Sequence, residues 1–153
     1  GEVCAQALYR GQLFFNKNNE IHKQLEKAAN EELDHLAWCQ SRINELNGST
    51  SRLNFFLYAG SFTVGSLASI IDEKYNLGFL SETEKQVSSH LESHLSKISS
   101  KDKRTIAIIK QMKKDEEIHE AAAKSMGATD LPVFVQKIMK VTSKIMTSST
   151  FKF

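Results

Sequence analysis

Two Glu-x-x-His elements, Glu32-Leu-Asp-His35 and Glu116-Glu-Ile-His119, lie far apart in the sequence, and each follows another glutamate at a similar distance. Glu2 stands 30 positions before Glu32, and Glu84 stands 32 before Glu116. Residues i and i+3 share one face of a helix, so each pair can present a carboxylate and an imidazole to the same point. Glutamate followed by Glu-x-x-His, twice on helical sequence, is the ligand pattern of a carboxylate-bridged di-iron or di-manganese centre in a four-helix bundle. Oxygen and imidazole donors suit iron or manganese, and the lack of cysteine ligands argues against zinc or an iron–sulfur cluster.

Positioning such a set requires four helices, and the composition allows them. A chain of 153 residues with one proline and seven glycines has little punctuation for a β-rich fold, so an all-α domain spanning 1–153 is expected. The net charge of +2 does not suggest nucleic acid as a partner. Cys4 and Cys39 form neither a C-x-x-C pair nor a disulfide framework, which leaves two reduced, partly buried thiols. The pattern predicts helix one to about Phe15 and helix two from Glu20 to Leu46, stopped by Asn47-Gly48. Residues 53–71 would cross over between two helical hairpins, with Asp72-Glu73-Lys74 as a polar turn. A fourth helix is expected from Ser81 to Ile98, a fifth from beyond Asp102 to Met126, and a sixth from beyond Pro132 to about Thr147. Two up-down pairs joined by one long connection make a ferritin-like four-helix bundle.

Helix phase tests whether the charged residues point inward. The apolar stripe of helix two, Ile21, Leu25, Ala28, Leu36, Cys39, Ile43 and Leu46, has a gap that Glu32 and His35 fill. Helix five runs Ile106, Ile109, Met112, then Glu116, His119 and Ala123; helix four runs Leu80, Glu84, Val87, Leu91, Leu95 and Ile98. Helix one gives Glu2, Ala5, Tyr9 and Leu13. A buried, unpaired carboxylate costs several kcal/mol, and four in one core repel each other unless cations stand between them. Two Fe(II) or Mn(II) ions would balance the four carboxylates, with two neutral imidazoles completing the set.

A single Glu-x-x-His is common on exposed helix faces, and Glu84 could instead close a capping box with Ser81. Two copies on apolar stripes, each with an upstream glutamate, favour the metal reading. Glu31, Asp34, Glu82, Glu117 and Glu120 fall off the stripes and are expected in solvent. Asp34 and Asp115 could orient a ligand imidazole, although surface acids are the commoner case. His90 and His94 flank the inner face of helix four; His90 is a candidate for lining a substrate or reductant path, and His22 has no such argument.

Residues 53–71 contain no charged side chain and have the length of a membrane span, but Asn54, Ser61, Thr63, Ser66 and Ser69 weaken that reading. A full span would also carry the two hairpins to opposite sides of a bilayer. From Leu131 to Phe153 the chain has lysines at 137, 140, 144 and 152 and no acids, interleaved with apolar residues. Such a segment can lie on an anionic membrane surface or pack on the bundle with its lysines in water. Together the two segments favour a monotopic protein or one that handles an apolar substrate.

The stretches Gly1-Glu-Val-Cys-Ala-Gln-Ala-Leu-Tyr-Arg-Gly-Gln12, Glu32-Leu-Asp-His-Leu-Ala-Trp-Cys39, Tyr58-Ala-Gly-Ser-Phe-Thr-Val-Gly65 and Leu77-Gly-Phe-Leu-Ser-Glu-Thr-Glu-Lys-Gln-Val87 resemble the demethoxyubiquinone hydroxylase family in its bacterial form. The resemblance continues through Asp115-Glu-Glu-Ile-His119, Gly127-Ala and Leu131-Pro132 and spans nearly the whole chain. It implies a membrane-associated di-iron monooxygenase of ubiquinone biosynthesis that hydroxylates the quinone ring of a polyprenylated precursor, ahead of the final O-methylation. By position the iron ligands would be Glu2, Glu32, His35, Glu84, Glu116 and His119, with O2 and an external reductant such as NADH as co-substrates. It further implies the cytoplasmic face of a bacterial inner membrane, with other ubiquinone-biosynthesis proteins and further copies of the chain in a homo-oligomer as candidate partners. Members of the family carry Asn-His-Ala before the Gly-Glu of helix one, so residues are expected upstream of Gly1. Animal members have Tyr where Leu91 stands, which puts a reductant route through that position in doubt. The rival of the same architecture is a ferritin- or rubrerythrin-like protein that oxidises iron or consumes peroxide; a rival of another class is a metal-free helical scaffold at a membrane surface.

Overall fold

The computed structural model describes residues 1–150; Lys152, counted above with the basic residues of the last segment, lies outside them. The described residues form α1 (Glu2–Phe15), α2 (Asn19–Glu45), α3 (Asn54–Ile71), α4 (Glu73–Leu95), α5 (Lys103–Ser125) and α6 (Val133–Thr150), with no strand among them. The all-α expectation holds, and the arrangement is that of a ferritin-like helical bundle. Helices α1 and α2 pack as one hairpin, α4 and α5 as the other, and α2 lies against α5.

Side chains start these helices. Asn18 accepts from the Glu20 and Ile21 amides, Asp72 from those of Lys74 and Tyr75, and Asp102 from that of Thr105. Each such cap satisfies amides that the first turn leaves without partners, worth about 1 kcal/mol. Asp102 also takes an ion pair from Arg42 Nη2 at 3.0 Å, tying the end of α2 to the start of α5. Two of the helices, α2 and α5, end on a left-handed residue. At the end of α5 it is Gly127, φ 96°, with the Ala128 amide returning to the Ala123 carbonyl. At the end of α2 it is Asn47, φ 55°, and not Gly48.

The largest departure from the expected boundaries is at the start of α4. Helix α4 begins at Glu73 and not near Ser81, because Asp72 caps it and the apparent polar turn is its first turn. Gly78 lies inside the helix for a packing reason. A Cβ there would stand 2.1 Å from the Thr129 carbonyl oxygen, where the chain leaving α5 crosses α4. Ser81 is therefore a buried mid-helix residue, and the capping-box alternative for Glu84 falls away.

Two apolar clusters lie at successive levels along the bundle. Tyr9, Ile21, Leu25, Ala28, Ala29, Leu77, Leu80 and Ala123 form one; Leu91, Ile109 and Met112, with Trp38, Val87 and Leu95 against them, form the other. Along α2, α4 and α5 the residues between these levels include Glu32, His35, Glu84, Glu116 and His119, so the candidate ligands sit between two apolar plugs. Burying each Leu or Ile contributes roughly 1.5–3 kcal/mol, which offsets the cost of the polar layer.

Helix α3 is not part of this core. It crosses α1 at backbone contact, where a Cβ on Gly11 would stand 2.2 Å from the Phe62 carbonyl oxygen and one on Gly65 2.2 Å from that of Leu8. The two free thiols are partly buried, as expected, with Cys4 against Met146 of α6. Replacing Gly65 by Ala is expected to lower stability by about 1–3 kcal/mol, since backbone cannot yield as a side chain can. Gly60→Ala, with nothing within 4 Å of its would-be Cβ, should be neutral or stabilising by up to about 1 kcal/mol. Urea unfolding of both variants reads the difference; equal midpoints would sink the packing argument.

Candidate metal centre

All six residues singled out by spacing converge. Their donor atoms form two groups, Glu2, Glu32, His35 and Glu116 in one and Glu32, Glu84, Glu116 and His119 in the other, each with its atoms within 4.8 Å of one another. Glu32 and Glu116 belong to both groups and so stand between the halves. Five of the six are buried, and Glu2 keeps 14% of its side chain exposed.

The imidazoles are aimed by acids outside the cluster. His35 Nε2 lies 3.1 Å from Asp115 Oδ2, and His119 Nε2 lies 2.6 Å from Glu31 Oε2. With Nε2–H donating to a carboxylate, Nδ1 is the nitrogen that faces inward, and it would offer its lone pair to a cation in exchange for its proton. His35 Nδ1 lies 3.5 Å from Glu32 and Glu116 oxygens, and His119 Nδ1 lies 3.6 Å from Glu116 and 3.7 Å from Glu32. The pairing is reciprocal: the acid before Glu32 holds the histidine of the other motif, and the acid before Glu116 holds His35. Asp115 is in turn held by Gln111 Nε2 at 2.9 Å, and Glu31 by Lys27 Nζ at 3.4 Å.

Sequence phase missed part of this. Glu31, expected in solvent, bonds His119, because a half-exposed carboxylate at the edge of α2 still reaches across to α5. Asp34 is exposed, so of the two suggested orienting acids only Asp115 touches an imidazole. Tyr9 lies on the apolar stripe of α1, yet its hydroxyl donates to Glu84 Oε1 at 2.6 Å. The available signal was the doubled acid, Glu31-Glu32 and Asp115-Glu116, which makes the repeat five residues long. Glu117 is exposed as expected, whereas Glu82 and Glu120 are partly buried, bonded to Gln86 and Lys124. His90 is exposed and packs against His94, ring centroids 4.3 Å apart with planes tilted by 58°; both line an open groove of about 310 Å³ with Lys97, Ile98, Thr147 and Ser148.

The donors fit a cation better than they fit each other. Glu2 Oε2, both Glu32 oxygens, Glu116 Oε2 and the Nδ1 atoms of His35 and His119 are buried without any hydrogen-bond partner. Buried polar atoms are nearly always bonded, so six in one place mark where something positive belongs. Donors about 2.1 Å from one ion would stand roughly 3–4 Å apart, which is the spacing seen. The electrostatics agree. Burial, then the Glu32 charge, push the Glu2 carboxyl up to about 8. Burial and the neighbouring Glu116 also raise Glu84. Burial works downward on His35, but the Glu116 and Glu32 carboxylates 3.5 Å from its Nδ1, with Asp115 at its Nε2, outweigh this and raise it to about 11. Burial alone would raise Glu116, yet the neighbouring Glu84 carboxyl and the two imidazoles 3.5 and 3.6 Å away bring it below the usual carboxylate range.

The family model of the ubiquinone biosynthesis protein COQ7 matches residues 1–150. The chain belongs to the COQ7 family. Among relatives of this COQ7-family chain is the 3-demethoxyubiquinol 3-hydroxylase of Polynucleobacter necessarius, 51% identical over 152 residues, which are 99% of this chain and 73% of the relative. The enzymes of that name from Legionella pneumophila and Nitrosospira multiformis are 48% and 46% identical over 151 residues, covering 99% of this chain and 71% and 73% of theirs.

The buried charges set how stability varies with pH. The folded COQ7-family chain keeps the Glu2 proton up to about 8, whereas the unfolded chain releases it near 4.5. It keeps the His35 proton up to about 11, against 6.5 unfolded. In both cases the folded state binds more protons, so stability falls as pH rises, by up to about 1.4 kcal/mol per pH unit for each proton difference. Protein stripped by chelation is expected to melt progressively lower from about pH 5 to pH 8. The same protein loaded with Mn(II) should not, because metal and protons compete for the same atoms. A metal-free melting midpoint that is flat or rises over that range would overturn this account.

Proposed function

We propose that this chain is a 3-demethoxyubiquinol 3-hydroxylase working through two iron ions held by Glu2, Glu32, His35, Glu84, Glu116 and His119. The observation that carries the reading is the set of six unpartnered donor atoms converging between two apolar plugs, in a chain of the COQ7 family. Hydroxylation consumes one O2, two protons and two electrons from an external reductant such as NADH, placing one oxygen on the quinone ring and releasing the other as water. Iron bound there would supply the redox chemistry that activates O2.

The chain's own residues do the rest. Glu32 and Glu116 stand where a carboxylate can serve both halves, and Glu2 and Glu84 each complete one half. Asp115 and Glu31 hold the Nε2 protons of His35 and His119, which keeps both Nδ1 lone pairs aimed inward. The apolar clusters keep bulk water from the layer, so charges there act in a low dielectric.

The same reading places the protein on a membrane. Helix α3 is long and apolar enough to cross one by length and composition, with only 11% of it buried, and Phe55 and Phe56 are more than 70% exposed. Helix α6 has no buried residue and leaves Val133, Phe134, Ile138, Val141 and Ile145 exposed beside its lysines. Both rest on the α1/α4 side of the bundle, α3 on α1 and α6 along α4. These faces would sit in the lipid surface at the cytoplasmic face of a bacterial inner membrane, so that the polyprenyl tail stays in lipid while the head group reaches the metals. The relatives' activity and these exposed helices favour this over an iron-storing or peroxide-consuming role.

Purified protein is expected to take up about two irons per chain and to convert demethoxyubiquinol only with O2 and reductant present. His119→Ala should lower turnover by about a hundredfold or more. Fewer than two irons at full loading, or no hydroxylated quinol, would overturn the reading. For the membrane part, replacing Phe55, Phe56 and Phe134 by Ser should weaken sedimentation with phosphatidylglycerol vesicles. It should also slow turnover of a long-tailed substrate while sparing a short-tailed, soluble one. Unchanged vesicle binding would remove α3 and α6 from the membrane contact.

A further inference from the structure

The two halves of the centre are close to equivalent in what α2 and α5 supply. Glu32 and Glu116 serve both, and each imidazole is held by one acid from the opposite helix. Helices α1 and α4 break that equivalence. Glu84 is buried, and its Oε1 accepts from the phenol of Tyr9 at 2.6 Å. Glu2, its counterpart, keeps 14% of its side chain exposed, and its Oε2 has no partner. Tyr9 shares a helix with Glu2 but reaches the other half of the centre. Its ring is fully buried and stands edge-on to His119, centroids 6.3 Å apart with planes at 78°.

We propose that Tyr9 is a positioning residue that makes the two metal positions unequal: by fixing the Glu84 carboxylate it gives the Glu84/His119 half the tighter grip on a divalent cation and leaves the Glu2/His35 half the more exchangeable. The inference rests on the metal-centre reading above. A carboxylate free to rotate loses that freedom when it binds a cation, and a hydroxyl held by a packed ring removes the cost beforehand. Tyr9 can do this because its ring is locked between the first apolar cluster and His119. Glu2 binds with no such preparation, at the more exposed edge.

Co(II) alone, added to metal-stripped protein and followed by calorimetry and visible absorption, tests this without substrate or turnover. Glu2→Gln leaves the Glu84/His119 position as the competent one, and Glu84→Gln leaves the Glu2/His35 position. Tyr9→Phe keeps the ring and removes only the hydroxyl. In the Glu2→Gln background it is expected to weaken Co(II) binding about 10- to 100-fold and to shift the ligand-field bands. In the Glu84→Gln background, binding and spectrum should stay within about twofold of the parent. Equal weakening in both backgrounds would assign Tyr9 a general structural role, and no weakening in either would leave it none at the metal; each result overturns the proposal. Wild-type protein that takes up fewer than two Co(II) would overturn the metal-centre reading itself. Two tightly bound ions with no background dependence would overturn the role of Tyr9 alone.

Discussion

Like charges brought together in an apolar core govern this structure. Glu32, Glu84 and Glu116 are buried almost completely, and Glu2 lies at their edge. At a separation of about 4 Å, two such charges interact by about 4 kcal/mol even with the moderate screening of a protein surface. A fold of this size has only about 5–15 kcal/mol of net stability, so the cluster is tolerable only if other charges answer it. Protons on Glu2 and His35 answer it in part, and the directions of their shifts express that demand. Divalent cations answer it more fully because they satisfy several oxygens at once.

The rest of the molecule can be read as the means of holding that layer in place. Two apolar clusters confine it along the bundle, so no single helix has to bear its cost. Capping residues fix where α2, α4 and α5 begin, and with it the phase at which the five ligands on those helices face inward. Asp72 matters most here, since it starts α4 early enough for Glu84 to lie three turns inside a formed helix. Arg42 and Asp102 join α2 to α5 beyond the second cluster, holding together the two helices that carry the Glu-x-x-His motifs. The cross-bonds from Asp115 to His35 and from Glu31 to His119 add a second tie, made of the centre's own side chains.

Spacing and helix phase were enough to find all six residues of the cluster, because buried polar residues at i and i+3 interrupt an apolar stripe in a way that is visible in one dimension. The limits of that reading have physical causes. The polar run at 72–74 looked like a turn before the helix, since the packing that keeps Gly78 inside α4 comes from the Thr129 carbonyl of a distant segment. Glu31 looked like a surface acid because phase assigns a direction but not a reach. A glutamate has enough rotatable bonds to cross from one helix edge to a neighbouring imidazole. Tyr9 looked apolar for the opposite reason. Its ring packs as a hydrophobic residue does, while its hydroxyl alone is engaged, and a stripe pattern cannot separate the two. The fate of α6 was open in the sequence and is decided by its contacts, which leave its apolar side chains outside the core.

Helix α1 joins features that otherwise seem unrelated. It carries Glu2 and Tyr9, which serve opposite halves of the centre, and through Gly11 it meets α3 at backbone contact. Side-chain packing between helices has some slack, because rotamers can adjust. A crossing in which each glycine's missing Cβ leaves room for the other backbone has almost none. Ser69 Oγ adds a hydrogen bond to the Gln12 carbonyl at 2.8 Å, on the same side of the crossing. The exposed apolar face of α3 is therefore fixed in depth and angle relative to the carboxylate layer. On the reading proposed above, that face sits in lipid, and the distance a quinone head group must travel to the metals is set by this one crossing. A looser α3 would bind a membrane equally well but would not hold the centre at a constant depth below it. This gives the glycines of α1 and α3 a role that hydrophobicity alone does not require.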